Sequence, residues 1–331
     1  MEHASRRRAT SQDVAKEAGV SRTTVSYILN NTPHQSIPDA TRQRVLEAAA
    51  RLRYTPSASA RTLRRGHSDV VLFLLPDWPI GHAIAAVTEQ LAQHLLPHGL
   101  TLVSHTHLRE RPLDDVWRAL TPAAVIRVGE FGPVEDEQLR QAQIEVLVEV
   151  GVSESSPTQL AFPIQRMGRM QAEHLAATGH QRIGYAAPSE RRLSVFRDNR
   201  LHGVREACAE LGLDLPDVRT IENDPASATE AIGQWRAAGV TGVCAYNDEI
   251  AMILLAGARR AGVRVPDDLA VIGTDNMHAA AFTDPPLTTV TIDACQVAAQ
   301  MANHVIVGLT GTGTRGRIPS SVLDVVVRES A

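Results

Sequence analysis

Long apolar runs are missing from this chain of 331 residues, and no stretch reaches the roughly 18 apolar residues that a membrane-spanning helix needs. Residues 1–10 contain arginines without an apolar stretch behind them, so they do not fit a secretory signal. We therefore expect a cytoplasmic protein. Its length suggests two or three compact units.

Cysteine is scarce as well. Cys208, Cys244 and Cys295 are far apart and form no C-x-x-C pair, which argues against a disulfide framework and against a thiolate zinc site. We expect all three to be reduced thiols in the core.

The sequence also lacks G-x-S-x-G, H-E-x-x-H and P-loop motifs. His94 and His98 have a spacing that could hold a metal ion, but a proline lies between them. His105 and His107 lack further ligands nearby. Residues 311–316 match G-x-G-x-x-G without a preceding strand or a following helix, so we predict a loop. We expect no metal, no cofactor and no enzymatic activity.

The net charge of −4 hides an uneven distribution. Residues 1–66 hold 12 Lys and Arg against 5 Asp and Glu, while the remaining chain holds 21 against 32. A basic segment suits contact with nucleic-acid phosphates, although many basic N-terminal stretches are only solvated tails. The charge alone therefore does not identify a partner.

Two short helices joined by a glycine turn are predicted inside this basic segment. Thr10 provides an N-cap hydroxyl with Asp13 three residues later, and apolar residues at helical spacing follow until Gly19. Ser21 provides the N-cap of a second helix. This pattern is typical of a helix-turn-helix, with an ordinary helical hairpin as the alternative.

The second helix would lie in the major groove of DNA, and a third helix from residues 38–39 to 54–56 would complete the bundle. Four polar side chains lie on the outer face of the second helix: Arg22, Thr23, Ser26 and Tyr27. Arg22 could read a guanine with two hydrogen bonds.

From Asp69 onward, apolar runs alternate with amphipathic stretches, which predicts parallel strands alternating with helices. The predicted strands are 70–75, 100–103, 123–128, 144–149, 182–185, 242–246 and 269–273. The predicted helices are 83–96, 199–211, 248–261 and one from near Gly168 to 178–180. The fold class is therefore an all-α helix-turn-helix head with an α/β body of two doubly wound parallel-sheet lobes. Open α/β sheets bind ligands beyond the carboxyl ends of their strands, so we expect a ligand in the cleft between the lobes.

The expected divisions of the chain are residues 1–56 for the DNA-binding domain, 57–67 for a hinge segment and 68–331 for the body. The lobes are expected to be approximately 68–163 with 290–320, and 164–289 with 321–331. The hinge has little apolar surface of its own and would be marginal as an isolated helix.

The helix-turn-helix and hinge resemble the lactose-repressor (LacI/GalR) family of bacterial regulators, through S-Q-D-V-A-K-E-A-G-V-S-R-T-T-V-S at 11–26 and Y-x-P-S-A-x-A-R-x-L at 54–63. Further matches run to V-V-R-E-S at 326–330, and the body also resembles periplasmic binding proteins. The resemblance implies a homodimer on a pseudo-palindromic operator, with a sugar or sugar-like effector in the cleft. It also implies a hinge that folds into a helix on DNA, where Leu63 wedges into the minor groove beside Ala60.

Contacts with double-stranded operator DNA are accordingly predicted for one set of residues: Thr10, Ser11, Ser21, Arg22, Thr23, Thr24, Ser26, Tyr27, Asn30, Tyr54, Ser57, Ala60, Arg61 and Leu63. For the effector, the resemblance implies contacts from Arg200, Asn247 and Asp275, whose side chains suit hydrogen bonds to hydroxyls. The alternatives are a loop cap for Asp275 and a turn residue for Asn247.

One departure from the family pattern lies at Ile164 and Gln165, where many relatives have an Asp-Asn pair. Arg127 and Glu149 end neighbouring predicted strands and could replace the missing carboxylate in the cleft. The alternative is that they pair with each other. An arginine in the cleft would favour an anionic or otherwise modified effector.

The sequence therefore predicts a DNA-binding transcriptional regulator, a repressor controlled by a small molecule. The alternative is a sugar-binding protein or an enzyme built on the same body. An export signal or a catalytic constellation would favour that alternative.

Overall fold

The computed structural model describes residues 9–29, 35–54, 67–108, 113–129, 131–142, 144–153 and 160–331. The chain divides into two compact units, Met1–Ser68 and Asp69–Ala331. In the described part of the chain, no helix is long and apolar enough to span a membrane.

Three helices form the described part of the N-terminal unit: α1 (Ser11–Ala18), α2 (Arg22–Leu29) and α3 (Asp39–Arg51). Their apolar residues recur at helical spacing and meet in one small core: Val14, Ala15, Ala18, Val25, Ile28, Val45, Ala48 and Ala49. This burial fixes which face of each helix is left to solvent.

The second unit alternates strands and helices. Its strands are β1 (Val70–Leu75), β2 (Thr101–Thr106), β3 (Ala124–Val128), β4 (Val146–Gly151), β5 (Leu160–Ala161), β6 (Ile183–Pro188), β7 (Asp217–Ile221), β8 (Gly242–Ala245), β9 (Ala270–Thr274), β10 (Thr288–Ile292) and β11 (Leu323–Val326). Its α-helices are α4 (His82–Leu95), α5 (Asp114–Leu120), α6 (Pro133–Gln141), α7 (Ile164–Ala177), α8 (Ser194–Glu210), α9 (Pro225–Ala237), α10 (Asp248–Ala261) and α11 (Ala294–Thr310).

The first lobe is built on a parallel sheet of order β2-β1-β3-β4-β5. Successive residues of β1 alternate between two buried faces. Phe73 belongs to the core that also contains residues of α4 and α11, and Leu72 to the core under α5 and α6. Helices on both faces leave the carboxyl edge of the sheet as the place for a ligand.

The second lobe contains a sheet of order β11-β10-β9-β8-β6-β7, parallel except for β11, which runs antiparallel to β10. After β10 the chain crosses to the first lobe, where α11 packs against α4, and β11 then returns to the second sheet. The lobe boundary expected at residues 289 and 290 therefore falls inside β10.

Helices α7 and α8 of this lobe pack backbone against backbone through two glycines. A Cβ atom added to Gly168 would lie 2.0 Å from the carbonyl oxygen of Arg200, and one added to Gly203 would lie 1.8 Å from that of Gln165. Only glycine permits this approach, which fixes the position of α8 and of Arg200 on it.

The cysteines only partly follow the expectation. Cys208 and Cys244 are free and buried, as predicted. The prediction for Cys295 is wrong, because the first turn of α11 leaves this thiol exposed, with its Sγ 3.5 Å from Nε2 of His94 on α4.

Candidate functional site

Local hydrogen bonds define the turn between α1 and α2. Thr10 and Asp13 form a capping box, in which the Thr10 amide donates to Asp13 Oδ2 at 2.8 Å and the Asp13 amide donates to Thr10 Oγ1 at 3.3 Å. Gly19 ends α1 with φ 68°, a left-handed conformation that favours glycine. Ser21 Oγ then accepts from the Thr24 amide at 3.0 Å and starts α2.

The outer face of α2 is set by the burial of Val25 and Ile28 on the other side. Arg22 and Thr23 are exposed, whereas Thr24, Ser26 and Tyr27 are half-buried. The predicted contacts outside α2 divide into two groups. Thr10 and Ser21 are exposed, while Ser11 and Tyr54 are half-buried. Five of the predicted DNA contacts lie outside the described residues: Asn30, Ser57, Ala60, Arg61 and Leu63.

Arg200 and Asp275 form a buried ion pair in the second lobe. Arg200 is 4% exposed, and its Nη2 donates to Asp275 Oδ1 at 3.1 Å. Its Nη1 donates to the carbonyl oxygen of Tyr246, and its guanidinium lies 4.6 Å above the Tyr246 ring centroid. Burial opposes the charge, yet the pKa of Arg200 stays raised because Asp275, Tyr246 and Tyr185 lie close to it. The site therefore keeps a charged guanidinium away from water.

The backbone that carries Asp275 is unusual. Asp275 has φ 102° and Asn276 has φ 49°, and both values are uncommon for residues other than glycine. Arg328 holds this loop, because its Nη2 donates to Asn276 Oδ1 at 2.7 Å. A second anchor is the backbone amide of Asp275, which donates to the carbonyl of Val290 at 2.8 Å. The loop geometry thus depends on several tertiary contacts.

Asn247 caps a helix. Its Oδ1 accepts from the Ile250 amide at 3.0 Å and so begins α10, while its Nδ2 lies 3.5 Å from Glu249 Oε2. The oxygen of the side chain is therefore committed to the cap of α10.

Asp248, which the sequence analysis missed, is a fully buried carboxylate next to this site. Its Oδ1 accepts from Thr289 Oγ1 at 2.6 Å and its Oδ2 from the Met277 amide at 2.7 Å, so it ties β10 to the loop after Asp275. Gly273 leaves room for it, because a Cβ there would lie 2.1 Å from Oδ1. Burial raises the pKa of Asp248 to about 6. Only the fold reveals this role, since the sequence shows just an acidic residue at a helix start.

Asp248 should make stability fall as pH rises. Its pKa is about 6 in the folded protein against a reference value of 3.8, so the folded state binds more protons between these values. The stabilising contribution is complete below about pH 4 and is lost as pH rises through about 6. Urea titrations of the wild type and of Asp248→Asn at pH 4 and pH 7 measure this effect. From pH 4 to pH 7, the free energy of unfolding of the wild type should fall by up to about 3 kcal/mol more than that of the variant. Asp214→Asn, which removes an exposed carboxylate, should keep the wild-type pH dependence. An Asp248→Asn variant with that same dependence would contradict the assignment.

Two contacts join the lobes near the carboxyl ends of their strands. Asp77 Oδ1 of the first lobe accepts from Arg192 Nη1 of the second at 3.2 Å. Trp78 and Phe196 meet edge to face, with ring centroids 4.6 Å apart. Gly129 accommodates the indole, because an added Cβ would lie 2.7 Å from Trp78 Cη2.

A cavity of about 520 Å³ lies at these contacts. Both lobes contribute to its walls: Pro76, Asp77, Trp78, His107, Leu108, Phe131, Gly132, Glu135, Arg192, Ser194 and Val195. Phe196 contacts the cavity residue Trp78 and precedes Arg200 by about one turn of α8. Helix α8 therefore links the cavity wall to Arg200, although Arg200 and Asp275 do not themselves line the cavity.

Arg127 and Glu149 lie elsewhere. They pair with each other across β3 and β4, and Arg127 also pairs with Asp136 on α6. This is the sheet face under α6, where Arg127 lines a separate cavity of about 450 Å³. The structure thus adopts the alternative in which the two residues pair, because neighbouring positions on parallel strands point to the same face. They do not enter the effector site that we propose below.

Comparison with known proteins identifies the family. Residues 10–57 match the family model described as bacterial regulatory proteins, lacI family, and residues 172–331 match the periplasmic binding protein-like domain. The transcriptional repressor PurR of Photobacterium profundum is 31% identical over 293 residues, which cover 85% of this chain and 86% of PurR. The chain belongs to the lacI family. The regulator GalS of Salmonella typhimurium is 32% identical over 315 residues, covering 92% of this chain and 91% of GalS.

Solved structures of lacI-family proteins share the fold. The lac repressor dimer bound to operator and the anti-inducer ONPF superposes with a TM-score of 0.81 at 23% identity, covering 98% of this chain and 99% of that one. The complex of the regulator CelR with cellobiose gives a TM-score of 0.65 at 25% identity, covering 98% and 100%. As a lacI-family member, this chain is a helix-turn-helix transcriptional regulator with a periplasmic-binding-protein-like body.

Proposed function

We propose that this regulator is a repressor that binds a pseudo-palindromic operator as a homodimer. A carbohydrate-like effector that binds between the lobes either lowers or raises its affinity for this operator. Family membership and the capped helix-turn-helix with an exposed Arg22 support the DNA-binding half of this proposal. One helix-turn-helix reads only a few base pairs, so pairing of two copies supplies the remaining specificity.

The effector half rests chiefly on one observation, the buried Arg200–Asp275 pair, which α8 links to the interlobe cavity through the contact of Phe196 with Trp78. Charged groups that stay fixed inside a cleft can donate to and accept from hydroxyl groups without reorganising. Binding there would favour one arrangement of the lobes, and DNA affinity would change by the difference in effector affinity for the two arrangements. We propose that the protein carries out no catalysis and acts in the cytoplasm, where its DNA target is found.

Selection of binding sites from random duplex DNA, followed by titration of candidate metabolites against the selected complex, tests the proposal. The full chain should enrich a two-fold symmetric site at moderate salt, and at least one metabolite should change its affinity. Failure to enrich any sequence would contradict the DNA-binding half.

Arg22→Ala should relax the preference at one base position in each half-site and cost roughly 1–3 kcal/mol on the preferred sequence. Arg44→Ala is a matched control, because Arg44 is an exposed arginine on α3 and its removal takes away the same charge. It should weaken binding to all sequences about equally. The measurement is a repeated site selection with each variant, and an unchanged base preference in Arg22→Ala would refute direct readout by this side chain.

A further inference from the structure

An ion pair bridges the two lobes at the wall of the interlobe cavity. Asp77 lies two residues after β1 of the first lobe, and Arg192 belongs to a short 3-10 helix, Arg191–Leu193, directly before α8 of the second. Both residues line the cavity, and Arg192 Nη1 donates to Asp77 Oδ1 at 3.2 Å. Because the partners belong to different lobes, a change in the separation of the lobes at the cavity must lengthen or break this contact.

Glu190 positions the arginine for the contact with Asp77. Its Oε1 accepts from the backbone amide of Arg192 at 3.0 Å and from Nε at 3.2 Å, and its Oε2 accepts from Nη2 at 3.1 Å. Hydrogen bonds from Arg192 lower the pKa of Glu190, and those to Glu190 and Asp77 raise the pKa of Arg192. Glu190 thus occupies Nε and Nη2 and leaves Nη1 for the first lobe. A guanidinium held in this way loses less conformational entropy when it pairs with Asp77.

An aromatic contact stands beside the ion pair. Trp78 follows Asp77 directly, its amide donates to the carbonyl oxygen of Pro76 at 2.7 Å, and its ring meets Phe196 in the first turn of α8. This edge-to-face contact does not depend on ionic strength. The Asp77 and Arg192 side chains are 48% and 50% exposed, so salt screens their attraction. The position of Trp78 therefore makes its indole a reporter of the separation of the lobes, and salt acts on the ion pair alone.

We propose that Asp77 and Arg192, with Glu190 as the positioning residue, form an interlobe latch that favours the lobe arrangement of this structure, and that the strength of the latch sets the operator affinity. The effect on operator affinity rests on the proposed function, whereas the latch itself does not. An exposed ion pair changes an equilibrium by up to about fivefold. That suffices to shift the populations of lobe arrangements that are close in free energy.

Trp78 emission in the full chain tests the latch without operator or effector. The other two tryptophans, Trp117 and Trp235, are 6% and 0% exposed. Acrylamide, a neutral quencher, is titrated into each protein at about 50 mM salt, and the Trp78 contribution is the difference from the same protein carrying Trp78→Phe. Asp77→Lys sets two cations face to face and should raise the Trp78 quenching constant at least twofold. Asp77→Asn only removes the attraction and should raise it less, in the same direction.

The charge exchange Asp77→Lys/Arg192→Glu should return the Trp78 quenching constant to within about 1.5-fold of wild type, because the new lysine then faces the new glutamate and Glu190. Salt at about 500 mM should bring the wild type close to Asp77→Asn and leave that variant unchanged. Asp214→Lys is the matched control. It makes the same charge change at an exposed carboxylate that pairs with Arg182 within the second lobe, and its quenching should equal that of wild type.

Operator affinity is measured for the same variants on the selected site, without effector. Asp77→Lys should differ from both wild type and Asp214→Lys at least threefold, and the charge exchange should restore the wild-type value. Wild-type quenching in both Asp77 variants, or no recovery in the charge exchange, would overturn the latch. Changed quenching with unchanged operator affinity would overturn its regulatory role. A failed site selection would instead contradict the proposed function, because the quenching result needs no DNA.

Discussion

Replacing Gly203 by alanine should cost about 3 kcal/mol or more in the free energy of unfolding, at the upper end of the overpacking range. The added Cβ would lie 1.8 Å from the carbonyl oxygen of Gln165 and 3.0 Å from the amide nitrogen of Arg169. These are backbone atoms of α7, so no rotamer change relieves the overlap. The two helices would have to separate along their whole contact.

Gly233→Ala is the matched control for this prediction. Gly233 also lies within a helix, α9, but nothing stands within 4 Å of an added Cβ there. Alanine is favoured over glycine in a helix interior by about 1 kcal/mol, so this variant should be slightly more stable than wild type. Urea titrations of the two variants should therefore give changes of opposite sign. A Gly203→Ala variant as stable as wild type would show that α7 and α8 do not pack as closely as described.

The same contact has a functional consequence. Gly168 faces the carbonyl oxygen of Arg200 at a distance that excludes a side chain, so separation of α7 from α8 moves Arg200 itself. A Gly203→Ala protein that still folds should therefore respond to an effector more weakly than wild type, measured as the shift in operator affinity. The helix crossing and the proposed effector site depend on one stretch of backbone.

The N-terminal unit was predictable from sequence because its signals are local. Thr10, Gly19 and Ser21 each act on residues within a few positions, and the caps form as expected. The two-lobed fold was also predictable, because buried parallel strands are continuous apolar runs.

Edge elements were missed. β7 has exposed positions and the charged residues Asp217 and Arg219, so it shows no such run.

The candidate site was less predictable, since its chemistry comes from residues far apart in the chain. Glu135 contacts His107 across 28 positions, and Thr289 contacts Asp248 across 41. No spacing rule indicates such pairs. Arg127 was predicted to lie in the cleft because it ends a strand, but it pairs with Asp136 and Glu149 instead. The end of a strand can be located from sequence, whereas the sheet face that its side chain occupies cannot. Which residues are polar is visible in the sequence, but their partners depend on tertiary packing.

Removing either member of the Arg200–Asp275 pair should cost about 3–5 kcal/mol in the free energy of unfolding, because the remaining charge stays buried without its partner. Asp275→Asn is the informative change on the acidic side, since asparagine tolerates the positive φ of 102° and removes only the charge. Arg200→Met removes the cation while keeping an unbranched side chain. Urea titration of each variant measures the loss.

The double variant Arg200→Met/Asp275→Asn measures the coupling energy between the two side chains, apart from the contacts that each makes with other residues. If each single loss reflects a stranded charge, the double variant should lose less than the two single variants together, by about 1–3 kcal/mol. Arg197→Met, one turn earlier on α8, is the control. It removes a more exposed arginine that pairs with Asp198 at 2.8 Å and should change stability by less than about 1 kcal/mol. Both single variants should keep operator binding without effector and lose the effector response, because the N-terminal unit folds around its own core. Additive losses would contradict the interaction between the two side chains. An effector response equal to that of wild type would remove this pair from the effector site and leave it as a structural contact of the second lobe.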